Sequence, residues 1–374
     1  MDTPETATKS KTKNTSGISF YKHKKLYACA QKQVDALEDG GADVVIALTH
    51  LGVSNETAAD GNRSIDVYEH TKGIDLMIDG HSHTVMTSTG NREPIQSTGT
   101  RFAYVGVVVV EPDGDIVDHY LVSTDKLKED TKVEKQAQKI EDQISALYGQ
   151  AFATSEVALP GDDRKSMVGE TVLGELTADA YAWYASGLEG ELKTDREHLV
   201  SLLNGGSIRA DLPKGNITKK DILNIMPFSN SLYIVYVKGY ELLEVLEAST
   251  FMAPDPMGGY PQTHGIRFSI DTTKPYDNGA PYPGTTFYRP ASIQRVSIES
   301  INGQPFDMNA TYAVATSDFV ATGGDTYCSL KGKESFDTGA LVNDVVVDYI
   351  SQQLSGVVSE EQYGKVRGDQ TILK

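Results

Sequence analysis

Hydrophobic positions in the first third of the chain switch between helical and strand spacing. Apolar residues recur every three to four positions over Lys24–Asp39 and stop at Gly40-Gly41, which predicts a helix and its end. Residues 43–49 (DVVIALT) and 74–79 (IDLMID) are apolar runs separated by a short predicted helix at 64–72. The first run is typical of a strand buried on both faces, and the second is also predicted to be a strand. The alternation predicts an α/β fold with a mostly parallel sheet.

The next segments predict a hairpin and a long helix. Residues 102–111 and 116–123 are rich in β-formers and flank Asp113-Gly114, a hairpin signal. A stripe at alternating spacings of four and three then predicts an amphipathic helix, made by Val133, Ala137, Ile140, Ile144 and Leu147. We expect this helix to bridge two domains and to end near Gly149.

The remaining residues mix both kinds of element. Helices are predicted at about 170–185, up to Ile225 after a capping box of Thr218 and Asp221, at 240–250 and at 341–351. Strands are predicted near 151, at 198–203, 232–237, 266–270, 293–298 and 312–316, and most of 252–288 is predicted to be loop. A chain of 374 residues is long for one domain. We therefore expect a first domain at 1–127, the bridging helix at 128–150 and a second domain at 151–374.

Charge and composition narrow the class of protein. The formal net charge of −18 disfavours nucleic acid and anionic membranes as partners. No apolar run approaches the roughly 20 residues that span a bilayer, and the polar N-terminus does not resemble a signal peptide. The two cysteines, Cys29 and Cys328, form no recognisable disulfide or metal motif and are expected to be small buried residues.

Three histidines follow predicted strands, where open α/β sheets bind their ligands. His50 follows the first strand, and His81 and His83 follow the second in the sequence Gly80-His81-Ser82-His83. Imidazole is the commonest metal ligand and suits zinc, manganese or iron, so we predict metal binding over a role as plain loop residues. A two-metal hydrolytic centre also needs a bridging carboxylate and further ligands, and no DxH or GNH motif precedes residue 43.

A second set of candidates belongs to the later block. Asn204-Gly205-Gly206-Ser207-Ile208-Arg209 follows a strand, and its glycines permit a tight turn. Asn204 offers a donor and an acceptor, and Arg209 can bind an oxyanion. Phe228 and Phe319 lie in or next to loops, and Gly324 and Asp325 follow Phe319. The two rings either belong to the core or stack on a base. The chain has no GxxxxGK[ST], GxGxxG, HExxH or GxSxG motif.

These motifs, in this order, resemble the 5′-nucleotidase and UDP-sugar hydrolase family. Thr49-His50-Leu51-Gly52 and Gly80-His81-Ser82-His83 are similar to the last two metal motifs of calcineurin-like metallophosphoesterases. The later block, with Pro227-Phe228 and Gly323-Gly324-Asp325, resembles the 5′-nucleotidase C-terminal domain. The resemblance implies a partial metallophosphoesterase α/β sandwich, a bridging helix and a nucleotide-binding α/β domain.

The resemblance also implies residue roles. His50 and His81 would bind one of two divalent ions, such as zinc or manganese, and His83 the other. Phe228 and Phe319 would stack on the base, and Asn204, with Gly205 and Gly206, would lie at the base edge. Arg209 and Asp325, next to Gly324, would hold the ribose and phosphate region. The partner would be a nucleotide or nucleoside, and the location extracellular, periplasmic or at the cell wall.

Two departures from the family pattern affect these expectations. The family's opening metal motifs and its catalytic Asn-His pair are absent, so no catalytic residue is assigned, and Thr3–Ala7 resembles a segment midway through the catalytic domain. We therefore expect an N-terminally truncated chain without a complete dimetal centre. Gly169 stands where many relatives have an arginine, and Arg164 is the nearest alternative.

Three functions remain open at this point. The first is metal-dependent hydrolysis of nucleotide phosphate esters, of the 5′-nucleotidase or UDP-sugar hydrolase type. The second is a nucleoside- or nucleotide-binding fragment without turnover. The third is a 2′,3′-cyclic-nucleotide phosphodiesterase.

Overall fold

The computed structural model describes residues 1–10, 15, 17–55, 61–88, 94–161, 164–188 and 190–374. The chain is of mixed α/β class and divides into two compact units. Unit 1 comprises residues 1–7, 15–134 and 284–286, and unit 2 comprises residues 8–14, 135–283 and 287–374. The short helix α1 (Thr6–Lys9) and the long helix α4 (Thr131–Tyr148) each contribute residues to both units. The predicted domain limits at 127 and 150 remain a prediction.

Unit 1 contains a four-stranded sheet in the order β1-β2-β4-β3. Strands β1 to β2 and β2 to β4 pair in parallel, which confirms the expected mostly parallel sheet, and β3 is antiparallel at the edge. Helix α2 coincides with the predicted segment. The elements are α2 (Lys24–Asp39), β1 (Ile46–Leu48), α3 (Ser64–Glu69), β2 (Leu76–Ile78), β3 (Val85–Met86) and β4 (Ile95–Thr98).

The expectation that β1 is buried on both faces is wrong. Ile46 and Leu48 are 44% and 72% exposed, whereas Val45 and Met77 are buried. The buried side belongs to a core that α2 supplies through Leu26 and its neighbours. An apolar run in the sequence does not show whether other segments cover both faces of its strand. In the described part of the chain, no second layer covers the face of β1 that carries Ile46 and Leu48.

The predicted hairpin is confirmed as β5 (Tyr104–Val110) and β6 (Ile116–Ser123). Its turn is closed by the amide of Gly114, which donates to the carbonyl of Glu111 at 2.9 Å. The long predicted helix is also present as α4. None of the residues of α4 is buried, and the apolar stripe that includes Val133 and Leu147 is exposed.

Unit 2 is built around two sheets. The order is β11-β8-β17-β10-β18 in the five-stranded sheet and β16-β15-β12-β20 in the four-stranded sheet. Smaller sheets are β13-β14 and β19-β7-β9. Strands are β7 (Ala151–Ser155), β8 (Leu199–Asn204), β9 (Gly215–Thr218), β10 (Ser231–Lys238), β11 (Pro261–His264), β12 (Ile266–Asp271), β13 (Asn278–Pro281), β14 (Tyr288–Pro290), β15 (Val296–Ile301), β16 (Gln304–Pro305), β17 (Thr311–Ser317), β18 (Ser335–Leu341), β19 (Val357–Val358) and β20 (Gln370–Leu373).

The helices of unit 2 pack on these sheets, and two of them begin at capping residues that the sequence displays. Thr218 and Asp221 form the predicted capping box at the start of α6. At the start of α5, the Thr171 hydroxyl accepts the amide of Gly174. Helices are α5 (Val172–Ser186), α6 (Lys219–Ile225), α7 (Gly239–Ser249), α8 (Asp318–Ala321), α9 (Val342–Asp348), continued by a π-helical turn at Tyr349–Gln353, and α10 (Glu360–Tyr363).

Three further expectations need correction. Residues 261–264 were predicted to be loop, but they form edge strand β11. Their strand conformation depends on backbone pairing with β8, which the pattern of side chains in the sequence does not reveal. The strand predicted at 293–298 lies three residues later, as β15. Cys29 and Cys328 are free and only partly buried. No helix in the described part of the chain is long and apolar enough to cross a bilayer.

Candidate functional site

Two of the predicted histidines meet at the ends of neighbouring parallel strands. His50 follows β1 after Thr49, and His81 follows β2 after Asp79 and Gly80. Because β1 and β2 are paired in parallel, their carboxyl ends lie at one edge of the sheet. The two imidazole rings have centroids 5.2 Å apart in an edge-to-face arrangement.

A buried carboxylate orders the loop that carries His50. Oδ1 of Asp79 accepts the Thr49 hydroxyl at 2.8 Å and the amides of Leu51 and Gly52 at 2.9 and 3.3 Å. Its Oδ2 accepts the Ser64 hydroxyl at 2.6 Å. Sequence analysis did not identify Asp79, although an acidic residue that ends an apolar strand is the signal that could have found it.

Glycines let the two histidine loops approach each other closely. Gly52 has a φ of +73°, and a Cβ there would lie 3.2 Å from Cδ2 of His81. A Cβ on Gly80 would lie 3.1 Å from Nδ1 of His50. Each loop therefore leaves room for the imidazole of the other. His81 itself has a φ of 81°, a conformation that non-glycine residues adopt mainly where the surroundings impose it.

Glu5 is a second partner that sequence analysis missed. Nε2 of His81 and Oε2 of Glu5 are 2.9 Å apart, and Glu5 is buried. The N-terminal residues reach this point because Thr3 donates its amide to the carbonyl of His50, and His50 donates to that of Met1. No sequence spacing could reveal a contact between residues 76 positions apart.

These groups form part of a metal site at most. His83 is exposed and has a φ of 55°. Among the described residues, no group of three or more His, Cys, Asp or Glu side chains is arranged to hold a metal ion. A dimetal centre needs several ligands for each ion and a bridging group. The described donors therefore do not fit a complete dimetal centre, and the metal roles of His50, His81 and His83 remain predictions.

The second candidate set lies at the carboxyl end of β8 in unit 2. This strand ends at Asn204, and Gly205 begins the tight turn that follows. A Cβ on Gly205 would lie 1.8 Å from the carbonyl oxygen of Ser166, and one on Gly206 would lie 3.0 Å from that of Gly258. The two glycines thus allow three backbone segments to pack at this strand end.

Asn204 and Asp325 form a buried polar pair in this region. Nδ2 of Asn204 donates to Oδ2 of Asp325 at 2.8 Å, although the residues are 121 positions apart. Oδ1 of Asn204 is buried and has no hydrogen-bond partner among the residues that the structure describes. Buried acceptors are usually satisfied, so an open one next to a carboxylate is a feature expected of a ligand site.

Arg209 stacks on Phe228. Its Cζ lies 5.3 Å from the centroid of the Phe228 ring, within cation–π range. Burial lowers the pKa of the Arg209 guanidinium, nearby Asp325 raises it, and the positive charge of Arg164 lowers it further. Arg209, Asp325 and Arg164 are therefore close enough to interact electrostatically.

The two predicted stacking rings differ in their surroundings. Phe228 is 42% exposed, whereas Phe319 is partly buried against the core of unit 2. A Cβ on Gly324 would lie 2.6 Å from the Phe319 ring, so that glycine packs directly on it. The structure thus pairs Phe228 with Arg209 and Phe319 with Gly324. A shared base between the two rings remains a prediction.

A family comparison matches part of the later block of the chain. The family model described as "5'-nucleotidase, C-terminal domain" matches residues 151–332. The matched range includes every candidate residue of unit 2 from Asn204 to Asp325.

Similar proteins extend the likeness to most of the chain. The trifunctional nucleotide phosphoesterase protein YfkN of Bacillus subtilis is 28% identical over 361 residues, which are 91% of this chain and 22% of that protein. A snake venom 5′-nucleotidase of Macrovipera lebetinus is 25% identical, over 89% of this chain and 83% of the relative. The chain thus spans less than a quarter of the first of these relatives.

Solved structures support the same architecture. A 5′-nucleotidase precursor from Thermus thermophilus matches with a TM-score of 0.71 and 25% identity, over 93% of this chain and 67% of that one. A Thermus thermophilus sulfate thiohydrolase, SoxB, matches with a TM-score of 0.66 at 19% identity, over 99% of this chain and 61% of that one. The second likeness concerns the fold alone.

Proposed function

Since residues 151–332 match the 5′-nucleotidase C-terminal domain, we propose that unit 2 binds a nucleotide for phosphoester hydrolysis. The observation that carries the proposal is the buried Asn204–Asp325 pair with an open acceptor on Asn204. The relatives named above include a nucleotide phosphoesterase and a 5′-nucleotidase.

The polar groups have complementary tasks in this proposal. The Asp325 carboxylate accepts hydrogen bonds from ribose hydroxyls, and Oδ1 of Asn204 accepts one from the base edge. A site built to bind such donors discriminates strongly, because an analogue without them leaves buried groups unpaired. Gly205 and Gly206 have no side chains that would keep a ligand away from Asn204.

The aromatic groups provide the stacking surface. Phe228 and Phe319 hold the faces of the base, with Gly324 supporting the Phe319 ring. Stacking of a base on an aromatic ring contributes about 1–3 kcal/mol. Arg209, held over Phe228, is placed to contact the ribose–phosphate region.

The phosphate side depends on Arg164 together with Arg209. Gly169 has nothing within 4 Å of a Cβ, so that position contributes no group of its own. Arg164 instead stands close enough to Arg209 to lower its pKa. Two neighbouring guanidinium groups repel each other, and a phosphate dianion would relieve that repulsion.

Binding by itself is a second candidate function, favoured because the donors that the structure describes around His50 and His81 form no group of three or more arranged to hold a metal ion. Two divalent ions such as Zn²⁺ or Mn²⁺ would supply Lewis-acid chemistry to the family reaction. We propose that the residues of this chain do not complete that centre by themselves. Phosphate release from AMP should then stay far below ordinary enzyme rates of about 1–10³ s⁻¹, with Mn²⁺ or Zn²⁺ present. Release at an ordinary rate, abolished by EDTA, would contradict the binding-only function.

Titration calorimetry with adenosine and AMP tests the nucleotide site. Phe228→Ala and Phe319→Ala should each weaken binding by roughly 5- to 150-fold, the equivalent of about 1–3 kcal/mol. Tyr240→Ala is the control, because Tyr240 is an exposed aromatic residue at the start of α7. Binding that is unchanged in both phenylalanine variants would remove the stacking site.

We also propose an extracytoplasmic location. One relative is a venom protein, and the Thermus thermophilus structure is that of a precursor. Fractionation of native cells should find the protein outside the cytoplasm, and recovery only with cytoplasmic markers would contradict the proposal.

A further inference from the structure

Residues 8 and 9 are docked on Asp325 within unit 2 by two contacts. The amide of Asp325 donates to the carbonyl oxygen of Thr8 at 3.0 Å. Nζ of Lys9 lies 3.1 Å from Oδ1 of the Asp325 carboxylate. The same ammonium group lies 5.7 Å from the centroid of the Phe287 ring. Backbone and side chain of Asp325 thus hold the same short segment.

The Asp325 carboxylate is fully engaged in this arrangement. Its Oδ1 pairs with Lys9 and its Oδ2 accepts from Asn204. The side chain of Asp325 is only 5% exposed, and a Cβ on Gly258 would lie 3.5 Å from both carboxylate oxygens and from Nζ of Lys9. With only 5% of its side chain exposed, Asp325 leaves a ligand hydroxyl little access to its remaining lone pairs. A ligand hydroxyl must therefore displace a present partner.

Lys9 is the partner that can leave. Asn204 is fixed at the end of β8 and buried, whereas the Lys9 side chain is 20% exposed. A lysine ammonium is a compact charge on a flexible stem, and its release restores its hydration. Because the Asp325 carboxylate is nearly buried, Lys9 can leave only when ligand hydroxyls replace it and keep the carboxylate hydrogen-bonded.

We propose that Thr8 and Lys9 form a strap that closes the nucleoside site, and that a ribose diol opens it by replacing Lys9 on Asp325. The inference rests on the proposed nucleotide site and adds a regulatory contact to it. Lys9 competes with the ligand for one carboxylate. Its removal therefore strengthens binding, whereas loss of a residue that contacts the ligand weakens it.

Calorimetry with adenosine compares four proteins. Lys9→Met keeps the apolar stem and removes the charge, and should bind adenosine about 3- to 10-fold more tightly than the unaltered chain. Lys9→Arg keeps the ion pair and should resemble the unaltered chain. Lys193→Met is the matched control, since Lys193 pairs with Glu334 on the exposed surface of unit 2. Unchanged or weaker binding by Lys9→Met would overturn the proposal.

Two further readouts are specific to competition. Salt screens the Lys9–Asp325 pair but not neutral adenosine, so affinity should rise with salt in the unaltered chain and not in Lys9→Met. 2′,3′-Dideoxyadenosine has no diol, so Lys9→Met should not improve its binding. Equal gains for both nucleosides would show that Lys9 does not compete with the diol and would overturn the proposal.

The outcomes separate this inference from the proposed function. Absence of adenosine binding in all four proteins would refute the nucleoside site and the strap together. Equal, measurable affinity in the unaltered chain and in Lys9→Met would refute only the strap. Exchange of the Asp325 amide, measured by hydrogen–deuterium NMR, should become faster with adenosine because its bond to Thr8 is lost. Unchanged or slower exchange in the ligand-bound protein would also refute the strap.

Discussion

Removal of the Asp79 carboxylate should loosen the His50 loop without unfolding unit 2. In Asp79→Ala, the amides of Leu51 and Gly52 lose their acceptor, while the Thr49 and Ser64 hydroxyls keep weaker alternatives at carbonyl oxygens. Each buried donor left unsatisfied costs about 1–3 kcal/mol. The two amides together predict a local loss of about 2–6 kcal/mol.

Asp75→Ala is a matched control at the other end of strand β2. Asp75 is exposed, and its carboxylate accepts the amide of Val45 at 2.8 Å. Water can replace that acceptor, so the cost should stay near 1 kcal/mol or below. Asp79→Asn keeps an oxygen for the amides of Leu51 and Gly52 and should fall between the two alanine variants.

Hydrogen exchange is the appropriate assay, since it resolves local opening. Exchange of the Leu51 and Gly52 amides should accelerate by roughly 30-fold or more in Asp79→Ala, the equivalent of about 2 kcal/mol or more. Fluorescence of Trp183, the single tryptophan and a residue of unit 2, should keep its unfolding midpoint. Equal exchange rates in Asp79→Ala and Asp75→Ala would refute the assigned role of the carboxylate.

Two further perturbations act on unit 2. Burial raises the pKa of Glu175 to about 7, so the folded state binds the extra proton between pH 4.5 and 7 and loses stability as pH rises. The loss amounts to at most about 3 kcal/mol, and Glu175→Gln should reduce it. Denaturant titrations at pH 5 and pH 8 measure the difference in unfolding free energy. An equal difference in Glu175→Gln and the unaltered chain would show that Glu175 is not its source. Gly205→Ala should lower the melting temperature of unit 2 strongly, because its Cβ would lie 1.8 Å from the Ser166 carbonyl oxygen. Gly169→Ala, with open space, is the control, and equal melting by Trp183 fluorescence would contradict the close packing.

Local signals predicted most of the individual elements. The helix at Lys24–Asp39 and the capping box of Thr218 and Asp221 follow from residues close in sequence, and both are present. The hairpin around Asp113-Gly114 is another local feature that the structure confirms. Such elements are encoded by spacing and turn chemistry, which a single sequence displays directly.

Features that depend on distant partners were harder to predict. The exposed face of Leu48 and the edge strand at Pro261–His264 depend on which other segments lie alongside. The contacts of Glu5 with His81 and of Lys9 with Asp325 join positions far apart in the chain. Sequence motifs could propose the histidines and Asp325, but not the side chains that bind them.

A crystal structure of the chain soaked with adenosine would locate the nucleoside site itself. We expect the base between Phe228 and Phe319, a base-edge donor on the open Oδ1 of Asn204, and the ribose diol on Asp325. Density for adenosine elsewhere in the chain, with Asn204 and Asp325 unchanged and both rings free of the base, would contradict it.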